Sequence, residues 1–185
     1  KLINGKNIKE NDLIIAIESS GIHSNGFSLI RNVIQNVENL EDKFEKITNL
    51  NLYNEILKPT KIYSNLINQL LLENIEIKGM AHITGGGIPE NLPRCMPSNF
   101  IPYIDRDSWD LPYIFKFFKE FGQIPENDLW NTFNLGVGYC LVVEKKYKQE
   151  VLNICESQGF SSWEIGRILN KKDSNVNQMI NGISI

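Results

Sequence analysis

The chain has 185 residues, 42% of them hydrophobic and 22% charged, with a formal net charge of −3 at pH 7. This is an ordinary globular composition, long enough for one domain with a sizeable core. It lacks the dense basic face of a nucleic-acid binder, and no apolar run approaches the roughly 20 residues of a membrane span. The start carries no signal-peptide pattern. Cys95, Cys140 and Cys155 are far apart, without metal-type spacing. A reduced, cytoplasmic setting is therefore expected, with Cys140 buried in a strand and no metal-ligand set. The chain opens on Lys1 rather than Met, which points to a piece of a longer protein.

Taken in order, the polar residues 1–11 lead into Leu13-Ile14-Ile15-Ala16-Ile17, a short continuous apolar run that fits a buried strand. It stops at the small polar stretch from Glu18 to Gly26. Phe27, Leu29, Ile30, Val33 and Ile34 then recur at helical spacing, so a helix runs from about residue 26 to 35. Residues 37–53 read as a charged, weakly periodic connection. Pro59 and Thr60 are expected to set the N-terminus of a helix carrying Leu66, Ile67, Leu70 and Leu71. Ile75, Ile77, Met80, Ala81 and Ile83 form the next strand, followed by a short helix to Arg94. Phe100 to Ile104 is a strand whose Pro102 favours an edge position. Trp109 and Ile114 to Phe121 give an amphipathic helix ending at Gly122, its aromatic stripe read as core. A short helix over 126–132, a strand through Tyr139 to Val143, a helix over 147–157 stopped by Gly159, and strands over 163–168 and 176–183 complete the chain. Strands separated mostly by helices imply a layered α/β (α+β) fold with one mixed sheet under covering helices.

Two glycine-bearing loops follow strands. In Thr84-Gly85-Gly86-Gly87-Ile88-Pro89, the consecutive glycines let the backbone reach positive φ and approach another molecule closely. Pro89 suits the first turn of a helix. Such a strand, turn and helix start can gather free N–H groups around an anion, with Thr84 adding a hydroxyl and Arg94 a guanidinium. A flexible turn between packed elements explains the same letters. The other loop, Ser19-Ser20-Gly21-Ile22-His23-Ser24-Asn25-Gly26, places short hydrogen-bonding groups beside a helix start, where caps are the plain alternative. The only two histidines, His23 and His82, fall in or beside these loops. Gly136 and Gly138 either mark a bulge or let a backbone or ligand come close.

Four stretches together resemble the aminoimidazole ribonucleotide synthetase (phosphoribosylformylglycinamidine cyclo-ligase) family: residues 19–31, Leu57-Lys58-Pro59-Thr60-Lys61-Ile62-Tyr63, residues 81–94, and Thr132-Phe133-Asn134-Leu135-Gly136-Val137-Gly138. The resemblance covers only the family's C-terminal half, so residues 1–185 are expected to be that domain, with a partial ferredoxin-like core, and the N-terminal ATP-binding half to be missing. It implies ATP-dependent closure of formylglycinamidine ribonucleotide to aminoimidazole ribonucleotide, with ATP and Mg2+ held mainly by the missing half, and a homodimer as the full-length protein. It implies His23 as the catalytic residue, either hydrogen-bond donor or proton carrier near its ordinary pKa of about 6.5. It assigns Ser20, Gly21, Ser24, Asn25, Gly26, Thr84, Gly85, Gly86, Gly87, Asn91 and Arg94 to substrate and phosphate, with Asn134, Gly136 and Gly138 on a strand of close approach. For His82, a structural hydrogen bond and ligand contact are equal options. The rival readings are a domain of a sister ATP-dependent synthetase of the same fold, and a non-catalytic phosphate-binding or dimerisation module.

Overall fold

The computed structural model describes residues 2–172. The elements run β1 (Leu13–Glu18), α1 (Phe27–Asn36), α2 (Leu40–Thr48), α3 (Leu52–Ile56), α4 (Ser64–Leu72), β2 (Ile77–His82), α5 (Gly87–Asn91), a 3-10 turn (Leu92–Cys95), β3 (Phe100–Ile104), α6 (Tyr113–Phe121), α7 (Glu126–Thr132), β4 (Val137–Val143), a second 3-10 turn (Lys145–Tyr147), α8 (Lys148–Ser157) and β5 (Ser162–Asn170). The sheet order is β2-β4-β1-β5-β3. β1 lies at its centre, and Ile14, Ile15, Ala16 and Ile17 are wholly buried, as a strand covered on both faces requires.

The expected layered α/β class holds, and the ferredoxin-like core can be traced in detail. β1, α4, β2, β4, α8 and β5 form a β-α-β-β-α-β unit. α4 and α8 pack together over one face through Leu66, Leu70, Val151 and Cys155, against Ile15, Ile17, Leu141 and Val143. The opposite face carries Ile14, Ala16, Cys140 and Val142 under the aromatic residues of α2, α6 and α7. There Phe117 meets Phe44 edge-on at 4.9 Å and Phe121 at 4.6 Å, so the aromatic stripe is core packing. Burying each such ring is worth about 1.5–3 kcal/mol.

Three expectations need correction. The sheet is not mixed: all pairings among the described residues are antiparallel. A strand-helix-strand order makes parallel neighbours only if successive strands lie side by side, and here β4 inserts between β1 and β2. Residues 37–53 are not merely a connection, because α2 and α3 bury Leu40, Phe44, Leu52 and Ile56. Their i, i+4 apolar pairs are separated by charges that blur the period. Finally, α4 starts at Ser64 rather than at Pro59–Thr60, because the chain before it is held elsewhere. Pro102 does lie on an edge strand of the described sheet, and Cys140 is buried in β4. The strand expected over 176–183 falls outside the described residues.

One ion cluster is built into the core. The Lys78 ammonium, 1% exposed, hydrogen-bonds both carboxylate oxygens of Asp12 at 2.9 and 3.0 Å and reaches Glu144 at 3.2 Å. Burial works against the charge on Lys78, yet the hydrogen bonds to Asp12 and Glu144 hold its pKa above the ordinary value. Lys78→Met strands the buried Asp12 carboxylate and should cost about 3 kcal/mol in denaturant unfolding. The surface control Lys146→Met should stay within about 0.5 kcal/mol. Equal midpoints for the two variants would contradict this account.

Candidate active site

The ends of β1, β2 and β4 meet at one edge of the sheet, where Glu18 pairs with Val137 and His82 with Tyr139. The loops leaving β1 and β2, and the turn entering β4, therefore converge. Asn134, wholly buried, ties two of them together. Its Oδ1 accepts from the Ser19 hydroxyl at 3.0 Å and the Gly136 N–H at 2.9 Å, and its Nδ2 donates to the Gly21 carbonyl at 2.8 Å. The Ser19 N–H donates to the Gly136 carbonyl at 2.8 Å. Residues 57–63 close the same loop from outside. The Ser20 hydroxyl donates to the Pro59 carbonyl at 2.6 Å, Lys61 pairs with Glu18, and the Tyr63 hydroxyl donates to the Glu18 carbonyl at 2.7 Å. All four stretches that carried the family resemblance thus come together.

His23 sits inside this arrangement. It is buried, 4% exposed, although its sequence neighbours are small and polar. His23 and Ser24 both hold left-handed φ, 55° and 59°, a conformation costing a non-glycine residue about 1–3 kcal/mol that the surrounding bonds must offset. The ring nitrogen Nε2 accepts the Ser20 N–H at 2.9 Å. The ring lies 6.1 Å from Tyr63 and 6.5 Å from His82, centroid to centroid. Burial first, then the charges of His82 and Lys61, push the His23 pKa down to about 4. The expectation of a proton carrier near the ordinary histidine pKa is therefore corrected: the imidazole is neutral at physiological pH. Burial works against the Glu18 charge, but the hydrogen bond from Lys61 keeps its carboxyl below the usual range.

The glycine turn after β2 divides its residues between fold and surface. Gly86 and Gly87 hold positive φ, 90° and 59°. A Cβ on Gly87 would overlap the Trp130 carbonyl, and one on Gly86 would overlap the Glu90 side chain. Gly85 is exposed, without positive φ, and a Cβ there would meet only Asn25 Oδ1 at 3.6 Å. It is the open point where the two loops touch. Thr84 and Asn91 are engaged within the turn: the Thr84 hydroxyl donates to Asn91 Oδ1 at 3.1 Å, while Asn91 Nδ2 donates to the carbonyls of Gly85 and Gly87 at 3.1 and 2.8 Å. Arg94 is exposed and paired with Glu90. It lines a cavity of about 400 Å³ with His82, Asn91 and Cys95, on the side of β2 away from β4. The structure does not bring Arg94 to His23. His82 is exposed and stacks on Tyr139 at 5.9 Å. In the first loop, Asn25 donates to the His23 carbonyl at 2.8 Å and Ser24 is exposed. Gly26 opens α1 with φ 71° and no side-chain cap. The close approach at Gly138 is by the protein itself, since a Cβ there would overlap the Tyr63 hydroxyl and lie 2.9 Å from His23 Cε1.

Sequence reasoning assigned no role to Glu18, Lys61 or Tyr63. The signal was present in residues 57–63, but nothing local shows that they fold back onto the end of β1. Among the described residues no three His, Cys, Asp or Glu side chains gather as a metal site, and no helix is long and apolar enough to cross a membrane.

The profile of the family described as AIR synthase related protein, C-terminal domain, matches residues 9–177. The chain belongs to that family. It is 63% identical over 180 residues to phosphoribosylformylglycinamidine cyclo-ligase of Prochlorococcus marinus strain AS9601, covering 97% of this chain and 52% of that protein. With the same enzyme of strain CCMP1986 / NIES-2087 / MED4 it shares 60% identity over 185 residues, covering 100% and 53%. The chain thus spans about half the length of the curated relatives it matches. Among solved structures, thiamine-monophosphate kinase from Stenotrophomonas maltophilia K279a superposes with a TM-score of 0.59 at 16% identity, covering 96% of this chain and 52% of that one. T. maritima PurL complexed with AMPPCP gives 0.54 at 8%, covering 92% and 23%. At such identity these two share the fold alone.

The depressed His23 pKa has a sign that can be tested. Between about pH 6.5 and 4 the unfolded chain binds a proton at His23 that the folded chain refuses. Stability is therefore undiminished above pH 6.5 and falls as the pH drops through this window. His23→Gln removes that contribution, so its melting temperature should fall less than that of the wild type between pH 6.5 and 4.5. Parallel curves would refute the assignment.

Proposed function

We propose that this chain is the substrate-binding half of an ATP-dependent cyclo-ligase, closing formylglycinamidine ribonucleotide to aminoimidazole ribonucleotide. The observation that supports it is the convergence of the 19–26 loop and residues 134–138 around one buried histidine, with the 84–87 turn meeting that loop at Asn25, in a chain 63% identical to a protein of that name. The formyl oxygen is a poor leaving group. ATP, when bound, supplies the phosphoryl group that makes it a good one, after which the amidine nitrogen attacks within the same molecule. Following the family resemblance, we assign ATP and Mg2+ mainly to the portion of the relatives beyond this chain. The full-length protein is read as a homodimer.

Within this reading, the chain's residues bind and orient. Gly85 and Asn25 form the junction where the two loops can approach a ligand. The N-terminus of α1, without a side-chain cap, turns its first N–H groups and the positive end of the helix dipole toward that end of the molecule. Ser20, Gly21 and Asn134 fix the loop that carries His23. Holding the amide and its internal nucleophile in one geometry can account for several kcal/mol of barrier.

The test uses a full-length protein of the relatives' length. Purified wild type should form aminoimidazole ribonucleotide from formylglycinamidine ribonucleotide and ATP, and the 185-residue chain alone should not. Absence of turnover by the full-length protein would refute the reading; turnover by the 185-residue chain alone would refute the division of labour. Gly85→Ala adds one methyl at the open junction without backbone strain. It should leave unfolding within about 0.5 kcal/mol while weakening substrate binding in calorimetry about tenfold, the equivalent of about 1.4 kcal/mol. Unchanged affinity would remove Gly85 from the site.

A further inference from the structure

Two backbone amides point at the same nitrogen of His23. The Ser20 N–H donates to Nε2 at 2.9 Å, and the Lys61 N–H lies 3.4 Å from it. A nitrogen that accepts these bonds presents its lone pair there, so the proton of the neutral ring is on Nδ1. Nδ1 is closed from solvent and has no hydrogen-bond partner among the described residues. Buried donors in folded proteins are nearly always paired, and one that is not calls for an account in function or strain.

The groups around the ring do not supply that partner. The Lys61 ammonium and Asn25 Nδ2 are donors and cannot accept from Nδ1–H, and the Tyr63 hydroxyl, which donates to the Glu18 carbonyl, makes no hydrogen bond to it. His82 stacks on Tyr139 with its ring centroid 6.5 Å from that of His23. Gly138, lacking a Cβ, leaves room for the Tyr63 hydroxyl and for His23 Cε1. The imidazole is thus fixed on one side by backbone donors and left with an unsatisfied N–H on the other.

We propose that His23 acts as a fixed, uncharged hydrogen-bond donor, offering Nδ1–H to an acceptor oxygen of the bound substrate, and that it does not carry a proton between groups. The proposal rests on the reading that the 19–26 and 84–87 loops form the substrate site. Nδ1 is closed from solvent, and the neighbouring Cε1 faces Gly138 of β4, so the acceptor reaches the N–H by displacing a group packed against the ring.

The experiment combines nitrogen NMR with kinetics on the full-length protein. In 15N-histidine-labelled wild type, the His23 signals, assigned by their loss in His23→Asn, should show a protonated Nδ1 and an unprotonated Nε2 from pH 8 to 5. Adding formylglycinamidine ribonucleotide should shift the Nδ1 proton and slow its exchange. In kcat/KM, His23→Asn, whose amide nitrogen reaches the Nδ1 position, should stay within about tenfold of wild type. His23→Ala and His23→Gln should each lose roughly 10²–10³-fold, as for a lost oxyanion-type donor. A protonated Nε2, an Nδ1 signal indifferent to substrate, or equal losses for Asn and Gln would overturn the proposal. The NMR readout of wild type judges it even where a variant folds poorly, and the tautomer is read whether or not turnover is detected, so failure of the functional reading is seen separately.

Discussion

The buried carboxamide of Asn134 is the constraint on which the rest of the site depends. It uses both lone pairs and an N–H on partners from two distant parts of the chain, Ser19 and Gly21 on one side and Gly136 on the other. A buried amide is costly unless its bonds are made, so the exit of β1 and the entry of β4 cannot move apart independently. That fixed frame lets the next residues of the first loop adopt a conformation they would not hold alone. Leu135, wholly buried with φ 53°, is kept in the same turn by the Trp109 indole N–H, which donates to its carbonyl at 2.9 Å. Strain at His23, Ser24 and Leu135 is thus offset by hydrogen bonds that only the assembled sheet provides.

The fold supplies the frame for a topological reason. In the order β2-β4-β1-β5 the antiparallel β4 lies between β1 and β2, so the C-terminal ends of β1 and β2 and the N-terminal end of β4 share one edge. Loops leaving two strands and a turn entering a third are then neighbours without long connections. The segment before α4 is drawn into the same edge, because Tyr63 and Lys61 are both tied to Glu18. Its lack of helical structure, which proline placement alone did not foretell, follows from that attachment.

Much of this was legible in the sequence where a local pattern had a single physical cause. The continuous apolar run of β1, the edge proline of β3 and the aromatic face of α6 all took their expected places. The grouping of the site was legible only through resemblance, because loop convergence is set by strand order, and strand order leaves no period in the letters. α2 and α3 escaped notice because their buried residues are few and flanked by charge. Arg94 follows from helical spacing alone: its guanidinium pairs with Glu90 and donates to Asn91 Oδ1 at 3.4 Å, the side chain that bonds Thr84, Gly85 and Gly87.

The glycines show most clearly why identical letters need separate physical explanations. Gly87 and Gly138 are required by the protein's own packing, one against the Trp130 carbonyl and the other beneath Tyr63 and His23. Gly86 is required by its backbone angle. Only Gly85 is exposed, free of left-handed strain, and in contact with the opposite loop. A glycine run is commonly read as a single device for approaching a ligand, yet here the run is mainly a way of seating a short helix against α7, and one position remains available for recognition. The histidine follows the same logic in reverse. Its sequence neighbours are small and polar, as beside an exposed side chain, yet those neighbours spend their hydrogen bonds on the loop itself and on Pro59. The imidazole is thereby turned into the interior, where its charge is suppressed and its one remaining N–H is its only unused polar function.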